Sequence, residues 1–377
     1  MDFALSEDQK ILKKSAQDFL KKECPREKAR KIMEGETGHS EELWRKIAEL
    51  GWVGLAFPSH LGGSDFTFTD LCILMEELGY HLFPGPFFST VLLGAMPILF
   101  HGTESQKREI LPKVASGDLI LTLALTEKDP APEASAIETR ARPRGSAYVL
   151  EGTKLFVSDA HLAQRILCVA RTRKARDEED GVTLFIVDSK DPGVQVSPLR
   201  TLSRDKQCEV VFRGARVPRE AILGEPHAGW SIVRETLARA NVALSAKMLG
   251  GAQAVMDMAL QYVKERIQFD RPIGSFQVVQ HYFADMWIQI NGARLLTLKA
   301  ASSISKGVVS AKEVAMAKAK AAEAFRRATI VGHQVFGAIG FTYEHDMHLF
   351  HRRSISYDMT FGNQVLQRQR IATELGL

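Results

Sequence analysis

The sequence predicts an α+β chain in three parts: helices, then a β-rich stretch, then long helices. Three observations carry that reading. Apolar residues recur at helical spacing behind capping residues through the first part. Short runs rich in β-branched residues, punctuated by Gly, Pro and Asp, replace them near residue 119. From about Gly229 the helical pattern returns in long pieces with short connections. The expected domains are 1–115, 116–226 and 227–377.

In the first part, "SEDQKILKKSAQDFLKKE" opens on Ser6, an N-cap residue, with acids in the first turn. Ile11, Leu12, Ala16, Phe19 and Leu20 mark its apolar spacing. "SEELWRKIAELGW" repeats the device: Ser40 caps, Leu43, Ile47 and Leu50 line one face, and Gly51 ends the helix. "FTDLCILMEELGY" is apolar on more than one side and predicts a buried helix. Strands are expected in "LILTLALTE", "AYVLEGTKLFVSD", "RILCVARTR", "VTLFIVDS", "GVQVSPL" and "CEVVFRGARVP". The charge run "RTRKARDEEDG" fits a solvated hairpin end. In the last part, the segment from Trp230 to Phe269 carries no turn signal stronger than Gly250-Gly251.

Composition excludes several classes. Apolar content of 45% and charged content of 25% are ordinary for a globular protein. The net charge of +4 is small for 377 residues and the signs interleave, so no nucleic-acid stripe is expected. No run approaches the ~18 to 20 apolar residues of a membrane span. "MDFALSEDQK" lacks the apolar centre of a signal peptide, and a cytoplasmic protein is expected. Cys24, Cys72, Cys168 and Cys208 form no CxxC pair and read as buried thiols in a reducing compartment. GxGxxG before a helix, GxxxxGK[ST], HExxH and GxSxG are all missing. His345, His348 and His351 have a spacing of three, but no Cys or paired carboxylate completes a first shell, so a polar helix face is expected rather than a metal.

A set of segments in fixed order is more informative. "LTLALTEKD", "GTKLFVSDA", "ERIQFDRPIGSFQVVQ" and "HQVFGAIGFTYEHDMHLFHRRS" together resemble the acyl-CoA dehydrogenase family, across essentially the whole chain. The resemblance implies an N-terminal α-helical domain, a middle β-barrel-like domain and a C-terminal four-helix bundle. It further implies non-covalent FAD, an acyl-CoA substrate, a homo- or heterotetramer and electron-transfer flavoprotein as acceptor. The implied reaction is α,β-desaturation: a carboxylate takes the α-proton while flavin N5 accepts the β-hydride.

The same segments suit a flavin on chemical grounds, since the ring edge needs backbone and hydroxyl donors and the ring a flat apolar wall. By resemblance, Leu125 and Thr126 face the isoalloxazine, and Phe156 and Ser158 give an aromatic wall and a hydroxyl, where the family usually has Trp and Thr. Arg266 and Phe269 bind the pyrophosphate and adenine of a neighbouring subunit's flavin. Gln334 and Gly337 let that dinucleotide approach the backbone closely. Taken singly, Arg266 reads as well as a surface cation, Phe156 as strand core and Gln334 as a polar bundle residue; the ordered set points to FAD.

Three departures matter. "TEKDPAPEAS" has Ala131 and Pro132 where the family's loop is rich in Gly and Ser, and proline removes a donor. Asp270 stands at a family glycine. The usual catalytic Glu is replaced by Phe361, and the alternative helix position for the base falls on or next to Ala240, followed by Asn241. A base must come within roughly 3 Å of the proton it takes, directly or through one water. Asp358, three residues before Phe361, is the nearest substitute, with Glu235 and Glu127 behind it. The expectation is therefore a base-lacking subunit working with a second acyl-CoA dehydrogenase chain, as in heteromeric enzymes acting on steroid side chains. The alternatives are a non-catalytic structural subunit without FAD, or a flavoprotein with a non-oxidative acyl-CoA reaction.

Overall fold

A computed structural model describes residues 4–377. In chain order the first helices are α1 (Glu7–Glu23), α2 (Arg26–Glu34), α3 (Glu41–Glu49), α4 (Phe68–Tyr80), α5 (Met96–His101) and α6 (Glu104–Ala115), with a π-helical stretch at Phe88–Ala95. Strands β1 (Leu121–Ala124), β2 (Arg140–Arg144), β3 (Ala147–Ser158), β4 (Arg165–Arg171), β5 (Val182–Asp188), β6 (Val194–Leu199), β7 (Gln207–Pro218) and β8 (Ile222–Leu223) follow. The last part holds α7 (Trp230–Glu265), the hairpin β9 (Ile267–Gln268) and β10 (Arg271–Pro272), then α8 (Gln277–Ser305), α9 (Ala311–Phe336), α10 (Ala338–Phe341), α11 (Met347–Met359) and α12 (Gln364–Glu374).

The chain forms two compact units, and neither is one continuous segment. The helical unit comprises Met1–Arg30, Thr67–Phe83 and Asn241–Leu377. The sheet unit comprises Lys31–Phe66 and Pro84–Ala240. The first helices are thus divided between them, and one boundary falls inside α7.

In the helical unit α1 packs on α4, α4 on α8, and α9 on α8, α11 and α12. Ser6 caps α1 in a full capping box, its Oγ accepting from the Gln9 N–H while Gln9 Oε1 accepts from the Ser6 N–H. Leu12, Ala16 and Leu20, spaced by four, are the buried stripe. Ile11 is 66% exposed because it lies one helical step, about 100°, off that stripe. α7 runs unbroken through Gly250 and Gly251, whose role is close approach. A Cβ on Gly250 would sit 1.8 Å from the Glu76 carbonyl oxygen, and one on Gly251 2.6 Å from the Phe325 ring. On α8, Trp287 is 58% exposed.

In the sheet unit the strand path is β6-β7-β3-β2-β4-β5-β8, with β1 laid parallel on β4. β4 and β5 are buried along nearly their whole length, which explains their continuous apolar sequence. The charge run after β4 lies in the β4–β5 connection, as the sequence suggests. Ser40 caps α3 by accepting from the Leu43 N–H, and Gly51 takes a φ of +73°. Leu50 is 46% exposed: it is the C-cap of α3 and leaves the Leu43–Ile47 face.

Candidate functional site

On the sheet unit, β1 continues into Leu125, which is buried, and Thr126, which is half-buried. Two hydrogen bonds lash this exit to β3: the Leu155 N–H donates to the Thr126 carbonyl (2.8 Å), and Thr122 Oγ1 donates to the Ser158 carbonyl (2.6 Å). β3 bulges at this point, with Lys154 opposite Val210 and Val157 already opposite Cys208. Phe156 sits in the bulge at a φ of +54°, its ring 54% exposed. Leu125, Thr126, Phe156 and Ser158 therefore share one rim. The Thr126 and Ser158 hydroxyls make no hydrogen bond among the described residues.

Under that rim lies a charge pair. Lys154, fully buried, donates to Glu127 Oε1 (2.6 Å) and to the Leu125 carbonyl (3.0 Å). Glu127 also accepts the backbone N–H groups of Glu138 and Thr139, at 3.0 to 3.1 Å. All of its capacity is spent inside the structure.

On the helical unit, Arg266 and Phe269 sit at one hairpin. The Arg266 N–H continues α7 by donating to the Tyr262 carbonyl, and the Arg266 carbonyl accepts from Ile273 (both 2.8 Å). Phe269 and Asp270, at φ of +53° and +61°, form the two-residue turn between β9 and β10. That backbone explains why glycine suits position 270, and aspartate is among the few residues that tolerate it. Phe269 is 86% exposed and the Arg266 side chain is exposed. Gln334, also exposed, lies in the last turn of α9, which ends at Gly337 (φ +62°, ψ −139°) with open space where a Cβ would be.

The loop between α11 and α12 carries Phe361 at a φ of +56° and Gly362 at +100°. It is held from three sides. Lys318, fully buried on α9, donates to the Tyr357 carbonyl and, at 3.1 Å, to the Thr360 carbonyl. Gln367 Nε2 donates to the Gly362 carbonyl (3.1 Å). Asn363 caps α12, accepting from the Val365 and Leu366 N–H groups. Burial pushes the Lys318 ammonium down to about 7, partly opposed by the Asp358 charge. Asp358 Oδ1 accepts from the Gln364 N–H (2.9 Å), which places the carboxylate on the N-terminus of α12. Ala240 is fully buried, and Glu235 pairs with Arg239 (3.1 Å).

The histidine trio is occupied by protein groups. His345 Nδ1 accepts from the Met347 N–H, His348 bonds the Tyr343 carbonyl, and His351 bonds Thr329 Oγ1. Burial lowers the pKa of His345 and of His351. Asp346 pairs with Arg30. All four cysteines are free and buried, and burial raises each thiol, Cys24 to about 11 and Cys168 to about 12.

Lys154 and Lys318 are not singled out by motif reading, yet both carry a local signal. Lys154 follows Tyr148 and Leu150 at even spacing, on the face those residues bury. Lys318 falls in the stripe of Val314, Ala315, Ala321, Ala322 and Phe325. A lysine at an inward position of either pattern demands a buried partner.

The donor set fits a flavin in most respects. In the sheet unit the rim offers two unspent hydroxyls and an exposed aromatic face; in the helical unit, taken by itself, the hairpin and α9 end offer an exposed guanidinium, an aromatic and an open glycine. The loop after Glu127 does not match: Pro130 and Pro132 lack an N–H, and the Ala131 N–H is donated to Asp129 Oδ1 (3.0 Å).

Family profiles match nearly end to end: acyl-CoA dehydrogenase N-terminal domain over residues 6–118, middle domain over 122–215 and C-terminal domain over 227–376. Helices, sheet and helices in this order define a class of FAD-dependent oxidoreductases acting on the CH–CH group of acyl-CoA thioesters. The Probable acyl-CoA dehydrogenase YngJ of Bacillus subtilis (strain 168) is 32% identical over 380 residues, covering 100% of both chains. Among solved structures, butyryl-CoA dehydrogenase from Megasphaera elsdenii superposes with a TM-score of 0.93 at 29% identity, over 100% of both chains. The ChsE4-ChsE5 complex from Mycobacterium tuberculosis gives a TM-score of 0.91 at 29% identity, over 100% of this chain and 99% of that one. The chain belongs to the acyl-CoA dehydrogenase family, and its function is of the FAD-dependent acyl-CoA dehydrogenase type. Among the described residues, no helix is long and apolar enough to cross a membrane.

Proposed function

We propose that this chain is the base-lacking subunit of a heteromeric acyl-CoA dehydrogenase, and that a second chain of the family supplies the carboxylate. The observation that carries this is Phe361. The loop is built and clamped, and it ends in a phenyl ring. The acids weighed as substitutes are engaged elsewhere: Asp358 at the start of α12, Glu235 with Arg239, Glu127 with Lys154 and two N–H groups. Each is already engaged by a hydrogen bond or ion pair with another part of the chain. The likeness to the ChsE4-ChsE5 complex supports a heteromeric assembly.

In this reading bound FAD supplies the hydride acceptor. Thr126 and Ser158 would donate to the ring edge, Phe156 would wall the ring, and Leu125 would back it. Arg266 would neutralise the pyrophosphate charge and Phe269 would cover the adenine of a neighbouring subunit's flavin, and Gln334 and Gly337 would admit that dinucleotide to the backbone. Electrons leave to an electron-transfer flavoprotein.

The chain is expressed alone and with base-bearing candidates, and its absorbance at about 375 and 450 nm and its mass in solution are measured. The reading expects FAD to be retained stoichiometrically only in the mixed assembly, and acyl-CoA turnover only there. Turnover by the chain alone overturns it, and loss of that turnover in Asp358→Asn would name Asp358 as the base. A second reading, a structural subunit without FAD, is favoured by the Ala131 N–H being spent on Asp129. It expects a colourless protein in every mixture.

A further inference from the structure

A fully buried lysine in a β-sheet needs an explanation. Moving an ammonium and a carboxylate out of water costs several kcal/mol per ion, and apolar residues of similar volume are often as stable or more so. β3 does not need Lys154 to find its register, since its ladder with β7 already pairs from Ala147–Pro218 to Ser158–Gln207. The lysine stands instead where the ladder fails, at the edge of the bulge that lifts Phe156 out. Its ammonium reaches across to the other strand exit, taking the Leu125 carbonyl and Glu127 Oε1 on either side of Thr126. Glu127 is in turn anchored by the Glu138 and Thr139 N–H groups, so the lysine pulls on a fixed point. A backbone bond from Leu155 to Thr126 and a side-chain bond from Thr122 Oγ1 to the Ser158 carbonyl complete the lashing.

We propose that Lys154, acting through Glu127, is the positioning residue of the flavin rim: it sets the spacing between Thr126 on one strand exit and Phe156 and Ser158 on the other. This rests on the flavin reading above. Lys154 touches no ring atom in this role, being buried beneath the residues that do. A bond on each side of Thr126 restricts its backbone and so fixes where its half-buried side chain starts. The bulged backbone at Phe156 has an unfavourable left-handed φ and holds only where its surroundings fix it.

The test uses the full chain, with its base-bearing partner where FAD requires one. Lys154→Met and the double variant Lys154→Met/Glu127→Gln are compared with wild type. The double variant leaves no unpaired charge and keeps an acceptor for one of the N–H groups, so it folds even where the single one does not. Folding is followed by circular dichroism, and the rim by FAD dissociation constant, by the position and fine structure of the ~450 nm band and by the flavin midpoint potential. The expected result is a folded double variant that binds FAD at least about ten-fold more weakly, with a displaced band, in line with losses on removing supporting residues around bound groups. A folded double variant with wild-type affinity, band and potential overturns the proposal and makes the pair purely structural. A wild type that takes up no FAD with any partner fails earlier, and sinks the flavin reading along with this one.

Discussion

Each unit buries one lysine completely, and the two are held differently. In the sheet unit Lys154 meets a carboxylate, Glu127, and the positive charge is matched within 2.6 Å. In the helical unit Lys318 meets only carbonyls, those of Tyr357 and Thr360 at the end of α11, while the nearby Asp358 spends an oxygen on Gln364. The helix C-terminus favours a cation, but by less than a paired carboxylate in a dry site. Desolvation therefore wins at Lys318, whose ammonium is pushed down to about 7. A matched charge can fix a rim permanently. A charge resting on carbonyls alone makes the Phe361 loop depend on a proton.

The comparison breaks most readily at Lys154. Lys154→Met strands a buried carboxylate and is expected to lower stability by about 3 to 5 kcal/mol in urea unfolding. Adding Glu127→Gln should return most of that loss, and a single variant as stable as wild type would mean that the pair carries no weight.

The next effect tests what the Lys318-held loop lacks. Phe361→Glu places a carboxylate where the proposed reading puts the missing base. With FAD bound, acyl-CoA turnover followed with an artificial acceptor should rise from background by about 100-fold or more. No gain, with FAD retained, would show that the loop of this chain does not deliver its side chain to substrate.

A smaller effect separates the two lysines by pH. Because burial holds Lys318 at about 7 in the folded chain, well below the ordinary lysine value of about 10.5, the unfolded chain binds more protons between the two. The Lys318 contribution to stability therefore rises with pH across that window, by at most about 1.4 kcal/mol per unit, and is flat below it. Urea titrations at pH 7, 8 and 9 should show the slope in wild type and its loss in Lys318→Met. Equal slopes would assign the dependence to other groups.

The smallest effect concerns the hairpin. Asp270→Gly relieves a left-handed φ and removes a carboxylate, so stability should change by no more than about 1 kcal/mol in its favour. FAD binding should tighten by a few-fold in the same variant.

What the sequence discloses follows the range of the forces involved. Ser6, Ser40 and Gly51 act through bonds to residues a turn away, and all three take the expected positions. The strands are legible because burial on both faces leaves continuous apolar runs in β4 and β5. Gly250 and Gly251 look like a break by local rules, but they answer to Glu76 and Phe325, which are distant in sequence. The π-helical stretch at Phe88–Ala95 is buried from Ser89 onward, so apolar pattern says nothing of its period. The division of the early helices between two units is likewise invisible, because capping and periodicity do not record what a face packs against. At the site, Leu125, Thr126, Phe156 and Ser158 share a rim on two neighbouring strands. Lys154, which ties those strands together, sits among them in "GTKLFVS" and passes for strand filler until its burial is seen.

Trp287 has a practical consequence. The other tryptophans, Trp44, Trp52 and Trp230, are sealed in the interior, so one indole of four is open to water. The emission of the isolated chain should contain a red-shifted component that acrylamide quenches and a blue-shifted one that it does not. Whatever comes to cover α8 will move light from the first component to the second, giving assembly an optical readout that needs no label and no flavin.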